Sequence, residues 1–485
     1  MPDQNSGAPG SLFGGVFARG SAIIDDTAWL QAMLDAEAAL ARALERAGLA
    51  PPGTGESVTR AARAADFDLA ELGELSALTG NPVPGLARAL ARAVGGQPGR
   101  AVHRGATSQD ILDTAAMLLA RRAIDAAAGD LATAADAAAS LAAEHRSTIM
   151  IGRTLLQQAV PVTFGVVAAG WLAGLDAAAE GLTWVRDRRL AVQFGGAAGT
   201  LASLGANGAG VKALLAEELG LADPPLPWHT ERLRIIDVGT AMARVTAALS
   251  KIARDVTLLA QSEVAEAAEG RGDAVPGAGS GGGGGAPRRG GSSAMPNKSN
   301  PVASVAILGC ARQAPGLLAT LVASAEQEHQ RAAGAWHAEW QPFGHLLQVA
   351  SSAAAWGSEL LRGLDVDTGK MAADLAAAGG LPLAERVTAL LRNVLGGPEA
   401  HDLVATAAAK AATSGVPLRD ILLADPDLEG KLTQAGITSA DVEQALDPAG
   451  YLGASADFIT AALAAHTRVA TPASASTPAS ASSHH

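Results

Sequence analysis

Apolar positions recur at helical spacing through most of this chain. "DTAWLQAMLDAEAALARALERAGL", opening at Asp26 as a possible cap, predicts the first amphipathic helix. Glycine and proline break the pattern at 51–55 and again at 80–85. Five longer apolar segments follow. They are predicted over 109–146, 161–194, 234–269, 301–336 (with a kink at Pro315) and 343–364. Segments of roughly 35 residues make helices of about 50 Å. Helices that long, and apolar on most faces, need partners on several sides, which points to a bundle continued across subunits. After Gly379 the pattern shortens to helices of about four turns. The fold class expected is all-α. An N-terminal helical domain is expected over 1–105 and a central long-helix domain over 106–365, with a mobile loop at 271–299. A small helical domain over 366–465 and a disordered tail over 466–485 complete the chain.

Composition sharpens this picture. The aromatic share is 3%, and alanine and glycine dominate, which suits helices packed through small side chains. Acidic residues number 48 against 36 basic, a net charge of −12, so no broad basic face for nucleic acid is expected. The single cysteine, Cys310, excludes an internal disulfide, and no Cys/His cluster has zinc spacing. A cytoplasmic location is expected, since the N-terminus lacks a signal-peptide pattern. The uncharged stretch 154–175 is long enough for a bilayer, but its two glutamines, Thr163 and Pro161 favour a buried core helix.

Three segments carry candidate chemistry. In "HRGATSQDILDTA", Thr107 and Asp110 form a capping-box-like pair opening the first long helix. Thr107 and Ser108 at such a positive terminus either cap it or hold a carboxylate. In "GRTLLQQAVPVTFG", Arg153 and Gln157 read as polar residues at i and i+4 on a helix start. In "GGSSAMPNKSNPVAS", Asn300 and Pro301 read as N-cap and first residue of the fourth long helix. Lys298 and Asn300 would face an anion there, with Ser292, Ser293 and Met295 just upstream on a glycine-rich tether. A plain linker does not need that string.

"TSQD", "GRT" and "GSSAMPNKSNP", in this order along the chain, resemble the three shared regions of the fumarase/aspartase superfamily. The resemblance runs from about Trp29 to Ile459. Within it, "HRGATSQDILDT", "PWHTERLRI", "EHQRAAGAWHAEW" and "LDPAGYLG" are similar to the bacterial 3-carboxy-cis,cis-muconate cycloisomerases. The resemblance implies a three-domain fold in a homotetramer, with five long helices per chain pooled into a twenty-helix core. Each active site would draw its three regions from three subunits. It implies a small anionic tricarboxylate substrate, an aci-carboxylate carbanion intermediate, and no metal or organic cofactor. Ser292 matches the acid/base serine. His103, Thr107, Ser108, Arg153, Gln157, His229, Ser293, Met295, Lys298, Asn300 and Arg331 are the implied substrate-binding set, and His337 is a weaker candidate.

One departure has chemical meaning. Adenylosuccinate lyases carry Arg-Thr-His in the second region, and that histidine protonates a leaving amine. Here the matching residue is Leu155, which cannot donate a proton. A carboxylate leaves without one, because its conjugate acid has a pKa of about 4. The expected reaction is therefore lactonisation of 3-carboxy-cis,cis-muconate in aromatic degradation. The alternatives are another lyase of the superfamily and a catalytically idle structural tetramer.

Overall fold

The computed structural model describes residues 12–270, 290–291, 295, 298–434 and 436–470. Among these described residues helices dominate, joined by four short strands in two two-stranded sheets. The chain divides into two units. One contains residues up to Ala132, Ala177–Ala253 and Ala303–Glu359; the other contains Thr133–Asp176, Arg254–Val302 and the chain from Leu360 onward.

In the first unit, helix α1 (Asp26–Arg46) is capped by Asp25, whose carboxylate accepts from the Ala28 N–H at 2.8 Å. Its buried face is Leu30, Met33, Leu34, Leu40 and Leu44, interleaved with alanines that allow close helix approach. It packs on the helices Thr54–Ala61 and Gly208–Leu219. Four longer helices have residues in both units: α2 (Ser108–Glu144), α3 (Phe164–Arg188), α4 (Leu233–Leu259) and α6 (Ala335–Arg362). Between the last two in sequence comes α5 (Val302–Ala323), nearly all of it in the first unit.

The first long segment ends within two residues of its expected bounds. The others differ, each for a local reason. Residues 149–163 are not a helix start but a β-hairpin, β1 (Ile149–Thr154) with β2 (Gln157–Thr163), antiparallel. Ile149, Ile151, Thr154, Val160, Val162 and Thr163 are β-branched and favour the pleat, and Pro161 sits in the strand opposite Ile151. The turn is Leu155–Leu156, both left-handed, at φ 52° and 64°. The fourth segment carries Pro315 inside α5 and ends at Ala323, short of the expected 336. The chain restarts at Gly334, whose φ of +111° only glycine adopts freely, and α6 then begins at Ala335, well before Phe343. The third segment stops at Leu259, and residues 267–269 form β3 (Ala267–Glu269), paired with β4 (Leu364–Val366). Asn300 is not the cap of α5, which starts one residue after Pro301.

In the second unit a C-terminal helical core gathers Val387, Leu391, Val404, Leu418, Leu422 and Val442. These come from α7 (Ala384–Leu395), α8 (Gly397–Ser414) and shorter helices after them. The last helix, α9 (Ser455–Ala470), is tied down by His466, whose ring nitrogens meet Asp176 at 2.9 Å and Asp136 at 3.1 Å.

Candidate active site

In the first unit the predicted residues His103, Thr107, His229 and Arg331 gather around one carboxylate, Asp110. It lies on the first turn of α2 with its side chain fully buried. Oδ1 accepts from Gly195 N at 3.0 Å and meets His229 Nε2 at 2.6 Å. Oδ2 accepts from Gly196 N and Thr107 N, both at 2.9 Å. The bond to Thr107 is one half of the expected capping box. The helix terminus therefore already faces an internal anion, and Ser108 stands half-buried beside it.

The turn at 195–196 requires its glycines. Gly196 has φ +66°, and a Cβ there would lie 2.9 Å from the Gly105 carbonyl. Its own carbonyl accepts from Arg331 Nη2 at 2.6 Å, so Gly196 is held at both its N–H and its carbonyl. Burial pulls the Arg331 pKa down, while Asp110 and Asp113 push it up; burial prevails.

His103 is held by Glu37 of α1. Its Nδ1 lies 2.6 Å from Oε1, and its backbone N–H donates to Oε2 at 2.9 Å. The residue is left-handed, at φ 61°. Burial pulls the imidazole pKa down, but the hydrogen bond and charge of Glu37, helped by Asp110, leave it above the ordinary value.

One turn along α2, Asp113 anchors a second buried network. Arg232 bridges Asp113 (2.8 and 3.0 Å) and Glu339 (2.6 Å), with Trp336, Gln109 and Gln193 also donating to Asp113. Burial alone would lower the Arg232 pKa, but its two carboxylates hold it above the ordinary value. Burial raises the Glu339 pKa against the pull of Arg232.

The remaining predicted residues, His337 excepted, belong to the second unit. Arg153 lies on β1, opposite Gln158, and makes a bidentate pair with the fully buried Glu266 at 2.6 and 2.8 Å. That bond is the main reason its pKa is raised. Gln157 is exposed at the start of β2. Leu155 is 96% exposed and Leu156 74%, which puts two large apolar side chains at the hairpin tip. Near α5, Gly290 and Asn300 close on each other. Asn300 donates to the Gly290 carbonyl from its backbone N at 2.8 Å and from Nδ2 at 3.1 Å. Gly291 and Ser299 form a bridge within that closure. Lys298 is exposed, and its N–H donates to the Met295 carbonyl at 3.0 Å. Ser292 and Ser293 lie outside the described residues. His337, in the first unit, is exposed and stacks at a tilt on Trp340, ring centres 4.7 Å apart.

Sequence reading did not single out Glu37, Asp113, Arg232, Glu339 or Glu266. The available signal was a charge at a core register. Glu37 falls among alanines on the apolar face of α1, and Asp113 follows Asp110 by three residues on an otherwise apolar helix.

Comparison with known proteins gives the family. A family model described as Lyase matches residues 19–316, and one described as Adenylosuccinate lyase C-terminus matches 380–462. The chain is 43% identical over 441 residues to a 3-carboxy-cis,cis-muconate cycloisomerase of Bradyrhizobium diazoefficiens, covering 90% of this chain and 94% of that protein. It is equally 43% identical over 453 residues to a nitrosuccinate lyase of Streptomyces davaonensis, covering 91% of each. The crystal structure of the 3-carboxy-cis,cis-muconate lactonizing enzyme from Pseudomonas putida superposes with a TM-score of 0.84. It is 36% identical and covers 95% of this chain and 100% of that one. The chain belongs to the fumarase/aspartase superfamily and is an enzyme of the lyase and cycloisomerase type.

Proposed function

We propose that the enzyme closes 3-carboxy-cis,cis-muconate to 4-carboxymuconolactone in the degradation of protocatechuate. The observation that carries this reading against release of an amine is Leu155. The hairpin presents an aliphatic tip where amine-releasing relatives need a proton donor. Lactonisation adds one carboxylate of the substrate across a conjugated double bond. Charge then develops on a neighbouring carboxylate, and fixed donors aimed at it lower the barrier. His103, Lys298, Asn300 and the first turn of α2 are the donors proposed. Thr107, Ser108, Gln157, His229, Met295, Arg331 and Ser293 would line the site. Arg153 would act by fixing the hairpin through Glu266. Ser292 would deliver the proton to carbon.

The assembly proposed is a homotetramer in which each chain gives five long helices to a twenty-helix core and three subunits build each site. Helix α5 supports it. Among the described residues it is the one helix apolar and long enough to cross a membrane, yet only 28% of its apolar window is buried within the chain. A second copy would cover that face. The domain limits proposed are 1–105, 106–365 and 366–465, with the correction that α9 carries helix on to Ala470, into the tail expected from 466.

The similarity to a nitrosuccinate lyase favours a second reading, elimination from a nitro-substituted dicarboxylate. A nitro group leaves as an anion and also needs no general acid, so Leu155 fits both.

The deciding assay follows ultraviolet absorbance, which falls as ring closure removes conjugation. The wild type is expected to turn over the muconate, and Ser292→Ala to lose about 10²- to 10⁴-fold in kcat. Equal turnover by the variant removes the serine from the mechanism. Preference for nitrosuccinate, read as nitrite release, replaces the substrate.

A further inference from the structure

We propose that Glu37 is a positioning residue that clamps His103 and presents its Nε2–H as the donor to a substrate carboxylate. This rests on the reading above for the identity of the anion. Glu37 is 1% exposed, between Ala36 and Ala38 on α1. A carboxylate in that place is unfavourable unless its oxygens are hydrogen-bonded. Both oxygens go to a single residue: Oε1 to the His103 ring and Oε2 to the His103 backbone. That grip holds a non-glycine residue in left-handed backbone, strain that persists where surroundings over-determine it.

With Nδ1 taken, Nε2 is the remaining polar atom of the ring, and the side chain keeps 24% exposure. A carboxylate behind an imidazole fixes its tautomer and favours the protonated ring. The charged groups facing His103 are Glu37 from α1 and Asp110 from α2. Asp110 has its own N–H donors, and Arg331 stands on the far side of Gly196. The neighbouring Arg104 turns away to the Leu49 carbonyl. Both facing groups are anionic, so the ring is biased toward the imidazolium.

Glu37→Gln separates a clamp that sets charge from a mere anchor, because glutamine keeps the shape and a hydrogen bond and loses the charge. Deuterium exchange at the imidazole carbon between the two nitrogens, read by mass spectrometry, reports the titration of each histidine in the intact protein. The midpoint of His103 is expected to fall in E37Q while that of His466 stays. Binding of tricarballylate, a non-reacting tricarboxylate, is expected to weaken about tenfold more in E37Q at pH 8 than at pH 6.

An unchanged His103 midpoint overturns the proposal. So does a lowered midpoint with no pH-dependent difference in tricarballylate binding, which would make Glu37 a structural anchor alone. If E37Q does not fold, the wild type decides: its tricarballylate binding must titrate with the His103 midpoint, and divergence overturns the clamp. Intact binding results without turnover of the muconate would sink the substrate and leave the clamp standing.

Discussion

Asp110 receives four donors, and three of them are backbone or ring groups of other segments. Its removal would strand all of them in a buried place. Asp110→Ala is expected to cost about 3 kcal/mol or more in urea unfolding. Asp110→Asn can still accept, but it must turn an NH2 toward an N–H donor, so it is expected to lose activity with a smaller stability change. The residue also shows why the sequence reading was partly right about the helix terminus. "TSQD" announces a cap, and the cap is there. The partners at Gly195, Gly196 and His229 are more than eighty residues away, and no local pattern announces them.

At the scale of elements the hairpin is the instructive case. A two-residue turn of this hand favours Asn-Gly. Leucines there carry no turn signal, so the apolar run looked continuous with the helix after it. Two left-handed leucines cost about 1–2 kcal/mol each in backbone strain. Replacing Leu155–Leu156 by Asn-Gly is therefore expected to raise thermal stability while reducing kcat/KM. Equal activity would make the tip dispensable.

Gly290 is the counterpart at the other loop. Its φ is +78°, and a Cβ would meet the Asn300 carbonyl oxygen at 2.5 Å. Gly290→Ala is expected to depress turnover at least tenfold with little change in melting temperature, since the segment adds little core.

The last helix has a pH dependence of its own. Burial lowers the His466 pKa, but Asp176 and Asp136 outweigh it and leave it raised. A raised histidine pKa stabilises fully below its unfolded value of about 6.5 and loses that contribution as pH climbs through the folded value. Proteolysis of α9 is expected to quicken above neutrality in the wild type. In His466→Ala it is expected to be fast at every pH.

For the whole molecule, helical periodicity and length revealed the class, the long elements and the apolar surplus that calls for partners. They did not reveal where long segments end. Pro315, where a kink is expected, lies inside a continuous α5, whereas Gly334, which carries no expectation, marks the restart. The exposed apolar side chains Val305 and Val322 on α5 test the assembly. Val305→Glu is expected to shift the sedimentation of the enzyme from tetramer to smaller species and to abolish activity with it. A monomeric wild type would remove the proposed core.

The closure of Gly290 on Asn300 reaches beyond the reaction. Its two hydrogen bonds set the span between them locally, whatever length of chain comes before. The closure itself depends on Gly290 and Asn300 and sets no requirement on the length of chain before Gly290. A change of chain length before Gly290 is therefore expected to leave this closure, and with it turnover, intact, because each doubling of a loop adds only about 0.6 kcal/mol.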